Sequence, residues 1–257
     1  MNFFLGSHMP SHLARTDVPL FISRRRLMDR KTFPRAAGPW ALDSGGFTEL
    51  DKHGGWSISA RQYAGEVRCY SEEIGQMSWA APQDWMCEPS QLQKTGLTVR
   101  EHQRRTVDNY LLLRMVAPDL PFVPVLQGWD MSDYLRCLDL YERAGVDLFA
   151  LPVVGLGSVC RRQGTQEIDA LVGRLAAEGL KLHGFGVKTL GIHNYAENLV
   201  SSDSLAWSRG ARYEKPMSGH THKNCANCLP YALRWRKRLL DGMTSRAPQA
   251  RQMRMAI

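Results

Sequence analysis

The sequence predicts an α/β fold: an irregular (β/α)8 barrel of the TIM type with a small zinc-binding insertion near the carboxyl terminus. Three observations lead there. Apolar runs of strand length alternate with longer amphipathic segments. The connections between them are short, which makes successive strands parallel. Eight such runs occur, the number that closes a barrel, and 257 residues with 44% hydrophobic content suit one domain with a sizeable core.

The expected strands are residues 3–6, 19–22, 40–43, 78–81, 122–127, 147–151, 181–185 and 198–202. Helical patterns fill residues 59–74, 98–116, 132–144 and 165–178; the second opens on the capping box Thr98-x-x-Glu101 and the last stops at Gly179. The first three strands leave little room for helices between them, so the barrel is expected to be irregular there. A doubly wound open sheet is the alternative. It calls for a glycine-rich dinucleotide turn after the first strand, and Gly6-Ser7-His8-Met9-Pro10 is not one. Residues 1–243 read as a single barrel that includes a knuckle at about 218–230, and residues 244–257 read as a flexible tail.

Net charge is +8, concentrated in Arg24-Arg25-Arg26, residues 100–105, Arg161-Arg162 and residues 234–238. Such clusters suit phosphate contact, although runs of Arg on helices are often solvated faces. No apolar run is long enough to span a membrane and no secretory signal opens the chain, so a cytoplasmic enzyme is expected. Cys69, Cys87, Cys137 and Cys160 stand singly and read as small buried hydrophobes.

Four expected strands end in a polar group: Asp43, Asp84, Gln127 and Asp203. A carboxylate beside an apolar run costs stability unless it is hydrogen-bonded or used. In a parallel barrel these ends converge on one face, together with the glycines of Val154-Gly155-Leu156-Gly157. Taken singly, Asp43-Ser44-Gly45-Gly46 is a common turn and Asp203-Ser204 a common helix cap. Their joint order at strand ends points to an active site.

That ordered set resembles the tRNA-guanine transglycosylases: Asp43-Ser44-Gly45-Gly46-Phe47, Asp84, Gln127-Gly128, Gly155-Leu156-Gly157, Gly184-Phe185-Gly186-Val187 and Ser202-Asp203-Ser204, over roughly residues 40–230. It is most similar to the DpdA-like branch, which inserts 7-deazaguanine bases into DNA. The resemblance implies a base-exchange glycosyltransferase with Asp203 as nucleophile and Asp43 as proton shuttle. Asp84 and Gln127 would read the edge of a guanine-like base, with Ser44 beside them and the Gly155 and Gly157 amides as further donors; Trp85 or Trp129 would form a stacking wall. DNA is the expected partner, tRNA the alternative. Homodimer formation, or a partner protein that opens the duplex, is left open. A non-catalytic nucleic-acid-binding barrel and a sugar hydrolase using Asp43 and Asp203 are the rival classes.

Two further features bear on the partner and cofactor. Lys188 follows the seventh strand, where barrels bind phosphate, and the basic helix at 229–240 carries Arg234, Arg236 and Arg238; all four are candidate phosphate contacts. His220-x-His222-x-x-Cys225-x-x-Cys228 has the spacing of a structural Zn²⁺ site. The family resemblance also implies zinc after the nucleophile strand, but with three cysteines and a distant histidine, and no histidine follows His222 here.

Overall fold

Strict alternation within the first three strands decides where their side chains go. Phe3 and Leu5 of β1 (Asn2–Ser7), Leu20 and Ile22 of β2 (Leu20–Ser23), and Trp40 and Leu42 of β3 (Trp40–Asp43) face the helices, whereas Phe4, Phe21 and Ala41 turn to the opposite face. One step of two residues along that inner face leads from Ala41 to Asp43 and from Phe21 to Ser23. The inner face therefore changes from an apolar floor to a polar rim within a single pleat. The floor is completed by Trp79, Ala81 and Val123, with Val153 and Phe185 packed against it.

The computed structural model describes residues 1–244. Five more strands follow: β4 (Met77–Ala80), β5 (Val125–Leu126), β6 (Val154–Leu156), β7 (Leu182–Gly184) and β8 (Ser201–Ser204). All pairings are parallel, in the order β4-β3-β2-β1-β8-β7-β6-β5. The helices are α1 (Gly46–His53), α2 (Ala60–Ile74), α3 (Pro89–Thr95), α4 (Val99–Val116), α5 (Met131–Arg143), α6 (Gln166–Ala177), α7 (Thr189–Tyr195), α8 (Ala206–Gly210) and α9 (Leu229–Thr244). Only short 3-10 turns separate β1, β2 and β3, as the crowding of the first three strands requires. None of the described helices is long and apolar enough to cross a membrane.

The expected closed barrel is realised only in part, because the curled sheet stays open between β4 and β5. A single parallel bridge, Ala80 to Phe122, joins these edges, with Ala80 N–H donating to Pro121 O (3.0 Å) and Val123 N–H to Ala80 O (3.1 Å). Pro121 and Pro124 lack an N–H and stop the ladder from continuing, which cuts the expected strand 122–127 to two residues.

Two other strands differ from the sequence reading. The sixth lies at Val154–Leu156, not 147–151, because Asp147 turns the chain by accepting from the amides of Phe149 (3.0 Å) and Ala150 (3.2 Å). The eighth begins at Ser201, after a 3-10 turn over Ala196–Asn198, so Asp203 sits within the strand. Thr98 caps α4 by accepting from Glu101 N–H, but the Glu101 carboxylate pairs with Arg104 and Arg105 instead of closing the box. Thr244 still belongs to α9; the rest of the expected tail lies outside the described residues.

Candidate active site

The carboxyl ends of the strands surround a cavity of about 650 Å³ lined by Asp43, Ser44, Asp84, Gln127, Gly157 and Asp203. Helix α4 braces two of the loops that form it. Its inward face carries polar groups: Gln103 donates to Gln127 O (2.7 Å), Asn109 accepts from Gln83 N–H (2.9 Å), Thr106 accepts from Trp85 N–H (2.8 Å), and the His102 ring meets Met86 O (2.7 Å). These bonds satisfy irregular backbone that would otherwise be buried unpaired, and so fix where Asp84 and Gln127 stand.

The three carboxyls have different surroundings. Asp43 ends β3, and Gly45 N–H donates to its Oδ1 (3.2 Å) across the turn; Gly45 has φ +81°, and a Cβ there would lie 2.8 Å from Arg25 Cγ. Burial pushes the Asp43 carboxyl above the ordinary range and the charge of Asp203 adds to that, against hydrogen bonds from Ser23 and Gly45. Asp84 is pushed up to about 7 by burial and by Asp43, although Gln127 Nε2 (2.6 Å) and Ser44 Oγ (3.3 Å) donate to it. Asp203 is buried on β8 beside Phe4 of β1, and its Oδ1 accepts from Gly186 N–H at 2.8 Å.

Gln127 is held from both ends. Its Nε2 points at Asp84, while its Oε1 accepts from Ser158 Oγ at 2.7 Å; Ser158 Oγ also lies 3.1 Å from Glu88 Oε2 and accepts from Cys87 N–H. The glycine pair plays a part other than the expected one. Gly155 N–H donates to Pro124 O and Gly157 N–H to Leu126 O, so both amides are spent in the sheet and not free for a base. What Gly157 supplies is space: a Cβ there would collide with the Gln127 amide. A Cβ at Gly155 would strike the Phe185 ring.

Neither expected tryptophan lines the cavity. Trp85 is buried beneath the Arg105 guanidinium (4.6 Å from the ring centre), and Trp129 is covered by Arg162 at 3.7 Å. Of the phenylalanines lining the cavity, Phe21, Phe47 and Phe185, the most exposed is Phe47 (40%), with Arg161 5.1 Å above its ring. Phe47 closes the Asp-Ser-Gly-Gly-Phe motif, which was the signal available for it. Glu88 and Ser158 also line the cavity and carried no sequence signal, since Ser158 adopts a left-handed φ of +58° that glycine would normally mark.

The arginine clusters divide by position. Arg24 is buried against Glu49 (3.3 Å) and Glu66 (2.5 Å), which makes it structural, whereas Arg25, Arg26 and Arg161 line the cavity with His8. Arg104 and Arg105 are paired on the surface of α4. On α9, Arg234 and Arg238 are exposed, and Arg236 donates to Phe3 O (3.2 Å), near the amino end of β1 and away from the cavity. Lys188 precedes α7, its charge reaching Cys160 on the cavity wall.

The knuckle residues do come together. One donor atom each from His220, His222, Cys225 and Cys228 lies within 4.8 Å of the others, with His222 Nε2 to Cys225 Sγ at 3.1 Å, His220 Nδ1 to Cys228 Sγ at 3.4 Å and the two imidazoles at 3.3 Å. Tetrahedral coordination at ordinary zinc bond lengths requires donor separations of roughly 3.3–3.8 Å. The group can hold a metal ion, and Met217 N–H already donates toward Cys225 Sγ (3.4 Å).

A family model described as DpdA, DeoxyPurine in DNA protein A, matches residues 1–256. The chain belongs to this family. A comparison with curated proteins gives no match. Membership in the DpdA family makes the chain a DNA-modifying enzyme of the guanine-transglycosylase type, with DNA and a purine-like base on its substrate side. The DpdA match covers the whole cavity as well as the knuckle.

Proposed function

We propose that this DpdA-family chain exchanges guanine in DNA for a 7-deazaguanine base by double displacement at C1′ of the deoxyribose. The observation that carries this reading is the meeting of three carboxyls in one cavity, two with raised proton affinity and one held by a backbone donor. In the first step Asp203 attacks C1′, the C1′–N9 bond breaks, and the departing guanine takes a proton from Asp43. In the second step the incoming base gives a proton back to Asp43, its N9 attacks C1′, and the ester opens to regenerate the carboxylate.

Base reading falls to Asp84 and Gln127. An ionised Asp84 accepts from N1–H and the 2-amino group, and the Gln127 Nε2 hydrogen not used by Asp84 is available to O6. Ser44 steadies Asp84, and Phe47 offers a face for stacking. Gly157 makes room for the Gln127 amide, and Gly155 for the Phe185 ring of the cavity wall. The target base has to leave the duplex to reach the cavity; Arg25, Arg26 and Arg161 at its mouth fit the phosphates on either side. A Zn²⁺ in the knuckle would be structural, tying the loop before α9 to the start of that helix.

The test is nucleoside mass spectrometry after incubating purified protein with a 7-deazaguanine base and equal strand concentrations of DNA and tRNA. The modified nucleoside is expected in DNA. Incorporation into tRNA alone would contradict the DNA assignment, and incorporation into neither would contradict base exchange.

A further inference from the structure

Beneath the cavity floor lies a histidine that the exchange mechanism above does not use. His183, on β7, has no exposed surface. Its ring is boxed by Trp79 (4.6 Å between ring centres), Phe185 (4.8 Å), Phe21 (5.8 Å) and Phe4 (6.0 Å), none of which offers a hydrogen-bond acceptor toward it. Nδ1 meets Ser201 Oγ at 2.9 Å. Nε2 has no hydrogen-bond partner, yet it lies 3.4 Å from Asp203 Oδ1.

A buried imidazole nitrogen without a partner costs stability, and such a group calls for an explanation in function. The tautomer follows from the neighbours. A nitrogen lone pair aimed at a carboxylate oxygen is repelled, so Nε2 carries the hydrogen and Nδ1 accepts from the Ser201 hydroxyl. Asp203 Oδ1 then faces two donors, Gly186 N–H at 2.8 Å and His183 Nε2–H.

We propose that His183 is a positioning residue for the nucleophile: with the Gly186 amide it holds Oδ1 of Asp203, so that Oδ2 is the oxygen presented to C1′. This rests on the assignment of Asp203 given above. In the first displacement the Oδ2–C1′ bond forms as C1′–N9 breaks. In the second the Oδ2–C1′ bond breaks, and its electron pair returns to a carboxylate whose charge the two donors stabilise. His183 gives up no proton in either step.

The deciding experiment measures the rate of a denaturant-stable protein–DNA adduct and its release by added base. His183→Phe fills the aromatic box without a donor, and His183→Gln restores an N–H. His183→Phe is expected to slow adduct formation on the order of tenfold, because a carboxylate free to turn presents Oδ2 to C1′ less often, with unchanged affinity for DNA. His183→Gln should recover part of the rate, which a space-filling role for the ring would not require. If His183→Phe melts without a cooperative transition, Ser201→Ala carries the test, because losing the Nδ1 partner should give a smaller loss of rate. Wild-type rate in the folded variants, or no recovery in His183→Gln, would overturn the inference alone; the absence of any adduct in the wild type would overturn the nucleophile assignment and the inference with it.

Discussion

The cavity has two carboxyls, Asp43 and Asp84, whose folded proton affinity exceeds that of the unfolded chain. Between about pH 4 and pH 7 the native state therefore binds more protons than the unfolded one, and stability falls as pH rises through that window. Asp84→Asn keeps an acceptor for Gln127 Nε2 and removes the charge. The variant should be more stable than wild type at pH 8, by up to about 4 kcal/mol, with the difference vanishing toward pH 4. Thermal melts at the two pH values check this, and equal differences at both would show that Asp84 titrates normally. Asp43→Ala should leave the Asp203 nucleophile in place but slow exchange by about 10² or more, because the leaving base no longer receives a proton. Steady-state rates at pH 6 to 8 measure it, and near-normal turnover would reduce Asp43 to a turn residue.

At the scale of elements, the loop before α9 depends on four side chains, two of them imidazoles at the surface or half-buried. Elemental analysis should find about one zinc per chain. Cys225→Ser with Cys228→Ser should lose the metal and lower the melting temperature, with faster amide exchange at the start of α9. Metal-free protein of full stability would contradict the assignment. The knuckle was legible in the sequence because its spacing is local. The carboxyls were legible because Ala41 to Asp43 follows the pleat and because the family pattern is an ordered set. Helix α4 was legible as a helix, but its bracing face was not: His102, Gln103, Thr106 and Asn109 read as ordinary polar positions until their partners, about 16 to 26 residues away in sequence, are in place. Strand six was misread because Asp147 spends its carboxylate on a turn, and the loss of ladder at β5 comes from prolines whose effect depends on which neighbour they face.

For the whole molecule, net charge says that a polyanion is attracted, and the structure says where. Arg25, Arg26 and Arg161 line the cavity, whereas α9 carries Arg236 to the amino end of β1. DNA affinity should fall steeply with salt, and replacing the three cavity arginines with Ala should shrink the log–log slope by roughly one unit for each phosphate no longer neutralised. Arg234→Ala with Arg238→Ala tests the expectation that the basic helix contributes; an effect on the slope from this pair alone would move the DNA path to the outer face of the sheet.

Asp203 is the residue on which the double displacement depends. The most direct test incubates wild type and Asp203→Asn with DNA that each binds, then denatures and resolves the products by mass. Wild type should carry a covalent deoxyribose adduct that disappears when a base is added, and Asp203→Asn should bind DNA with similar affinity and carry none. An adduct of equal yield in Asp203→Asn would contradict the double displacement proposed for this cavity.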